Sequence, residues 1–315
     1  MHRLTEAKII LVTRPTRVAE LRRRFSTKMQ AAFYVSRLGQ DFSDYENEDG
    51  LYTAAVRTAV ETLDTLGRVQ PVDRSFLPNF VFGPEDVVVV LGQDGLVANT
   101  MKYLNGQPVI GVNPEPARWD GQLLPFRVMD LGKVVLEVIQ RRRSAKPVTM
   151  AQARLNTGET LYAVNDLFVG PRSHTSARYL IEIGGEREAQ SSSGVIISTG
   201  LGSTGWLKSL LTGASVIVQS QGTAKGKSRP PPVKSEFAWD SNYLCFTVRE
   251  PFPTRATGTR LVFGRVTSKS PLVIESQMPE HGVIFSDGIE SDFLAFRSGV
   301  RATISPADRQ GWLVT

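Results

Sequence analysis

Cysteine is almost missing from this 315-residue chain, with Cys245 standing alone. A single thiol excludes an internal disulfide framework and suits a reducing compartment. Its setting, Tyr243-Leu244-Cys245-Phe246, is that of a small core residue. Histidine is nearly as scarce. His2, His174 and His281 are scattered singly, so no zinc-type spacing and no Ser/His/Asp constellation emerges. No apolar run approaches the ~18 residues of a membrane-spanning helix. A cleavable presequence is not expected, because the strand Lys8-Ile9-Ile10-Leu11-Val12 begins almost at once. The expectation is a cytoplasmic protein with no membrane partner and no metal site built from its own side chains.

Charge of one sign is only slightly in excess: 37 basic against 31 acidic residues leave a net charge of +6. The basic residues fall in short runs, Arg22-Arg23-Arg24, Arg141-Arg142-Arg143 and Lys225 to Arg229. No aromatic residues interleave with them, so they read as solvated faces, and nucleic acid is not expected as a partner. A mildly basic balance also suits an enzyme that handles several phosphates.

The chain is long enough for two domains and a sizeable core. Through about residue 140, strands alternate with helical patterns. Lys8–Val12, Val87–Leu91 and Pro108–Val112 read as strands. Helices are expected near 17–31, over Tyr52–Leu66, near Leu96–Leu104 and within Phe126–Gln140. Such alternation argues for a doubly wound, mostly parallel sheet. After Arg143-Ser144-Ala145-Lys146-Pro147 strands dominate, broken at short intervals by glycine and polar pairs, as in an antiparallel β domain. One clear helix is expected there, from Trp206 to about Leu211, and Thr223–Ser235 reads as a loop. The fold class is thus an α/β N-terminal domain plus a β-rich C-terminal domain. The expected division is 1–143, 144–292, and a tail at 293–315 that returns to the first domain.

The most informative stretch is Val87-Val88-Val89-Val90-Leu91, which runs straight into Gly92-Gln93-Asp94-Gly95. An all-apolar, β-branched run is a buried parallel strand, and open α/β sheets bind ligands at the carboxyl ends of such strands. Glycines let backbone approach a ligand while Asp94 offers a carboxylate, and the following helix aims its N-terminus at an anion. A second loop, Ser198-Thr199-Gly200-Leu201-Gly202-Ser203-Thr204-Gly205, sits between the strand Val195–Ile197 and the helix at Trp206. Hydroxyls, amides and a helix start suit phosphate or ribose, although a Ser/Thr N-cap in a plain turn has the same letters. Asn165-Asp166 and Asp287-Gly288 each end an apolar run, and each is also a common turn pair.

Taken in order, these four elements resemble the signatures of NAD kinases, in letters GGDGT, NE, TGSTA and DG. Val109-Ile110-Gly111-Val112-Asn113-Pro114, the Arg118–Gly121 segment, Ser192-Ser193-Gly194, Trp206 and Val248-Arg249-Glu250-Pro251 resemble the mitochondrial type and its bacterial relatives. The resemblance spans about residues 85–300. It implies transfer of the ATP γ-phosphoryl group to the 2′-hydroxyl of the adenosine ribose of NAD or NADH. In that reading Asp94 is the general base. Gly92 and Gly95 let amides approach the pyrophosphate. Asn165 and Asp166 hold the dinucleotide, with aspartate where the family usually has glutamate. Asn113, Thr199, Gly202, Ser203, Thr204 and Asp287 complete the binding residues. Mg²⁺ would accompany ATP, held mainly by phosphate and water. A homo-oligomer, with a dimer favoured, is also implied.

The chain departs from the family pattern at specific positions. Gln93 replaces the second glycine of the first motif and Leu96 its threonine; Gly205 stands for alanine, and Ile289 for glutamine. If position 93 needs a positive φ, Gln93 carries strain of about 1–3 kcal/mol. A lost hydroxyl at Leu96 removes a charge-assisted hydrogen bond of about 1.5–3 kcal/mol. These departures keep two other readings open: a nucleotide binder that has lost phosphoryl transfer, and a related kinase acting on a lipid or sugar hydroxyl.

Overall fold

The computed structural model describes residues 3–221 and 235–315. The stretch read as a loop at Thr223–Ser235 therefore lies, apart from Ser235, outside the described residues. Two compact units divide the chain. The first runs to Lys146 and includes Trp312–Thr315; the second is Pro147–Gly311. Of the segment 293–315, only its last four residues belong with the first unit, because residues 301–304 are paired within the second.

In the first unit, β1 (Lys8–Thr13), β2 (Arg68–Asp73), β3 (Val87–Leu91) and β4 (Pro108–Asn113) form a parallel sheet in the order β4-β3-β1-β2. The short β5 (Phe126–Arg127) pairs with the end of β4, and Trp312 and Leu313 pair with its beginning. β3 is at most 7% exposed along its whole length, so both its faces are covered. This is why its sequence does not alternate. The connection from β1 leads to one side of the sheet and that from β3 to the other. The carboxyl ends of these adjacent strands therefore form the topological switch point.

Helices cover this sheet. α1 (Arg17–Phe25) is capped by the Thr16 hydroxyl, which accepts from the Ala19 amide at 3.1 Å. It ends at Ser26, whose φ of +62° stops the helix. Thr27 then caps a separate α2 (Lys28–Arg37). The single helix expected near 17–31 is thus two. α3 (Phe42–Asp64) begins ten residues earlier than its apolar spacing suggested, at the N-cap Asp41. Tyr52, Ala55, Ala59 and Leu63 of α3 and Leu131, Val134 and Val135 of α5 (Leu131–Ile139) bury against Ile9, Leu11, Val89 and Leu91. Between β3 and β4 lies α4 (Asp94–Met101).

The second unit is antiparallel, as its sequence texture implied. β6 (Ala145–Leu155) pairs with β7 (Thr160–Ala163). The apolar run from Thr160 to Val169 breaks at Val164-Asn165 and resumes as β8 (Asp166–Pro171). β9 (Ala177–Ile183) and β10 (Glu186–Ser192) form a hairpin, followed by β11 (Val195–Ser198). α6 (Trp206–Gln221) extends well past the expected end at Leu211. The remaining strands are β12 (Tyr243–Val248), β13 (Phe263–Thr267), β14 (Leu272–Ser276), β15 (Gly282–Ser286), β16 (Ile289–Ala295) and β17 (Arg301–Val314). One sheet runs β13-β12-β11-β8-β15-β16. Its inner side chains, among them Leu167, Val169, Ile197, Phe246 and Ile284, pack against Tyr179, Ile181, Ile274 and Ile304 of β9, β14 and β17. The outer face, with Phe168, Ile196 and Val283, is covered by Trp206 and Leu210 of α6.

Candidate functional site

The first unit presents the Asp94 carboxylate at its switch point. Gly92 leaves β3, and Gln93 is the N-cap position of α4, so Asp94 opens the helix. The Asp94 carboxylate accepts from the amides of Leu123 at 2.8 Å and Gln122 at 3.2 Å. Those amides reach it because Gly111, in β4, has no side chain. A Cβ there would sit 1.9 Å from the Leu123 carbonyl oxygen. Gly121, at φ +65°, makes the turn that brings this segment in.

The backbone strain anticipated at Gln93 is absent. Its φ is −112° and ψ 163°, an extended conformation open to any residue. Leu96 points inward. It is buried and packs over Gly92, where a Cβ would meet Leu96 at 2.7 Å. Gly95 is exposed and has open space around its missing Cβ. Asn113 is buried, and its amide works within its own loop. It donates to Trp119 O at 2.9 Å and accepts from Glu115 N at 3.0 Å.

Beside this loop lies a charged network that the sequence did not reveal. The Tyr52 hydroxyl donates to Leu91 O at 2.8 Å and accepts from Arg14 N at 3.0 Å, tying the ends of β3 and β1 together. Burial pushes its pKa up to about 12, so it stays a donor. Glu48 takes Arg14 at 2.8 Å and Arg17 at 2.7 Å, and Asp44 takes Arg17 at 2.8 Å and Arg118 at 2.7 Å. Burial alone would raise the Glu48 carboxyl, but its two arginines bring it below its ordinary value. The Arg14 Nε is buried without a partner. No local signal marks this cluster, because its members come from the turn after β1, from α1, from α3 and from the loop after β4.

In the second unit the motif residues mostly hold one another. Asp287, at φ +54°, accepts from the amides of Val164, Asn165 and Asp166, the shortest at 2.6 Å. Thr199 is fully buried; it donates to Val164 O at 2.5 Å and accepts from Gly202 N at 3.1 Å. Ser203, also fully buried, donates to Gly200 O at 2.6 Å. A Cβ on Gly200 would lie 2.0 Å from Ala238 O, and one on Gly202 2.1 Å from Asn165 O. These glycines serve close backbone packing. The hydroxyl contacts expected of Thr199 and Ser203 are therefore taken up inside the protein, whereas Thr204 is exposed.

Asp166 is different. It lies across from Ser198 in the β8–β11 register, and its Oδ1 is buried without a hydrogen-bond partner. Burial first, and the Asp287 carboxylate second, push its pKa up to about 7, against the lowering effect of the Ser198 hydroxyl. On the same face of the sheet, two residues along β8, Phe168 stacks between Trp206 and Phe285. These rings line a cleft of about 540 Å³, with Arg249 over Trp206 and Arg172 over Phe293. The Arg249 Nε is buried and unpartnered. Aromatic faces beside guanidinium groups suit a planar, phosphate-bearing ligand. Among the described residues no group of three His, Cys, Asp or Glu side chains forms a metal site, and no helix is long and apolar enough to cross a membrane.

No protein-family model and no curated protein sequence matches the chain. Solved structures do. Yeast NADH kinase complexed with NADH superposes with a TM-score of 0.58 at 15% identity, covering 99% of this chain and 84% of that one. An NAD kinase from Archaeoglobus fulgidus in complex with ATP gives 0.54 at 14% identity, covering 98% and 93%. The chain has an NAD kinase-like fold, an α/β N-terminal part followed by a β-rich C-terminal part.

Proposed function

We propose that this protein transfers the γ-phosphoryl group of ATP to the 2′-hydroxyl of the adenosine ribose of NAD or NADH. The observation that carries this reading is Asp94, a carboxylate set by two backbone amides at the switch point of an NAD kinase-like fold. The likeness to a structure described with NADH and another described with ATP supports the same pair of substrates.

Asp94 accepts the proton of the 2′-hydroxyl, the freed electron pair attacks the γ-phosphorus, and the bond from that phosphorus to the β–γ bridging oxygen breaks to release ADP. The amides of Gln122 and Leu123 hold the carboxylate in one orientation through this step. The N-terminus of α4 favours the phosphate charge. In the second unit, the unpartnered Oδ1 of Asp166, the Asn165 side chain and the exposed Thr204 hydroxyl meet the dinucleotide, and the cleft that Trp206 and Arg249 line takes its planar part. With no cluster of protein ligands among the described residues, Mg²⁺ fits as part of the donor, held by phosphate oxygens and water.

The test is incubation with Mg²⁺, ATP and either NAD or NADH, scored for NADP(H) with an NADP-specific dehydrogenase. Product establishes the kinase. NAD binding by calorimetry without product establishes a nucleotide binder that has lost the chemistry. Neither result would move the search to lipid and sugar hydroxyl acceptors.

A further inference from the structure

The hairpin of α1 and α2 carries a surface that the proposed chemistry does not use. On α2, Met29 and Phe33 follow at i and i+4 on the face opposite the buried Ala31 and Val35. They are 83% and 64% exposed, and Leu38, just beyond the helix, is 61% exposed. Single exposed apolar residues are ordinary, but Met29 and Phe33, on successive turns of one helix face, mark an interaction surface.

Two cations, Arg24 and Arg37, lie with Phe33 around one cleft, and the α1 arginines add to the charge of the hairpin. Arg22, Arg23, Arg24 and Arg37 are exposed and have no carboxylate within ion-pair distance among the described residues. The nearby acids are already engaged, Glu20 with Arg74 at 2.7 Å and Glu46 with Lys28 at 2.7 Å. Arg24 lies over the rings of Phe25 and Tyr34, and Arg37 over Phe33. Between them is a cleft of about 530 Å³ lined by Arg24, Phe25, Gln30, Phe33, Tyr34 and Arg37. Arg24, at the end of the Arg22–Arg24 run, thus has one aromatic partner from α1, Phe25, and one from α2, Tyr34.

We infer that this face docks on an anionic phospholipid surface, with Arg24 and Arg37 on a headgroup phosphate and Met29 and Phe33 entering the acyl boundary. Charge complementarity points to an anion, and the exposed apolar side chains need an apolar phase beyond it. Nucleic acid fits less well, because guanidinium groups already occupy the faces of Phe33 and Tyr34 on which bases would stack. Binding is peripheral and reversible, since one short helix face supplies it.

Flotation of the full chain with phosphatidylcholine vesicles, with and without phosphatidylserine, tests this. Binding is expected only with phosphatidylserine, weakening as salt rises. Arg24→Glu should cost at least about fivefold in affinity. Phe33→Ser should cost about as much at unchanged charge. Arg141→Glu, the same charge change on another exposed residue, should cost far less. Circular dichroism checks that each variant is folded. Absence of binding to phosphatidylserine vesicles at low salt overturns the inference. So does an Arg141→Glu loss equal to that of Arg24→Glu, which would mean general attraction by net charge. So does an unchanged affinity in Phe33→Ser. Retention of the chain by an immobilised acidic peptide but not by vesicles also overturns it, in favour of a protein partner.

Discussion

The loop at Gly92–Gly95 and the loop at Ser198–Gly205 are written in similar letters and use them in opposite ways. In the first, the polar side chain is displayed and the backbone serves it: two amides from a neighbouring segment orient the Asp94 carboxylate. In the second, the backbone is the product and the side chains serve it. Thr199 and Ser203 spend their hydroxyls on carbonyls, and Gly200 and Gly202 make room for passing chain. A Ser or Thr in a glycine-rich loop is therefore not by itself a ligand contact; whether a partner inside the fold has claimed it decides.

The largest effect on this comparison should come from Gly111→Ala. Its Cβ would collide with the Leu123 carbonyl, so the segment that orients Asp94 must move. A stability loss of about 3 kcal/mol by denaturant melts is expected, together with reduced turnover. Asp166→Asn comes next and works through pH. The folded-state pKa of Asp166, about 7, lies above its ordinary 3.8, so its contribution is complete below pH 3.8 and lost as pH rises through about 7. The melting temperature of Asp166→Asn relative to the parent should therefore climb across that window and level off above it. A flat difference would mean that the carboxyl is not desolvated. Smaller effects should separate two threonines. Thr199→Val should lose about 1–2 kcal/mol of stability, whereas Thr204→Val should keep its stability and weaken NAD binding about two- to tenfold by calorimetry. Smallest of all, Gln93→Gly should change turnover less than about threefold, since residue 93 is already extended.

Much of this was legible in the sequence for physical reasons. The Val87–Leu91 run has no polar face and must be covered on both sides, so it marks the centre of the parallel sheet. Gly-rich breaks and short apolar runs marked the antiparallel unit. Asp94 was legible because a lone acid after a buried strand falls where such sheets bind ligands. The split between α1 and α2 was not, because Ser26 adopts a positive φ without being glycine. Nor was the Arg14–Glu48–Arg17–Asp44–Arg118 network, whose partners are 27 to 74 residues apart. The reach of Asp287 to Val164, 123 residues away, is likewise a tertiary fact. Leu96 shows the same limit: as a letter it looks like a lost hydroxyl, and in the fold it is packing over Gly92.

The central claim is that Asp94 takes the proton of the 2′-hydroxyl. It is tested most directly by measuring NADP(H) formation and NAD binding side by side in the parent and in Asp94→Asn. Asparagine keeps the shape and, through its one carbonyl oxygen, one of the two amide contacts, but is no base. Turnover is expected to fall about 10²- to 10⁴-fold with NAD affinity nearly unchanged. Turnover at the parental rate in Asp94→Asn would contradict it.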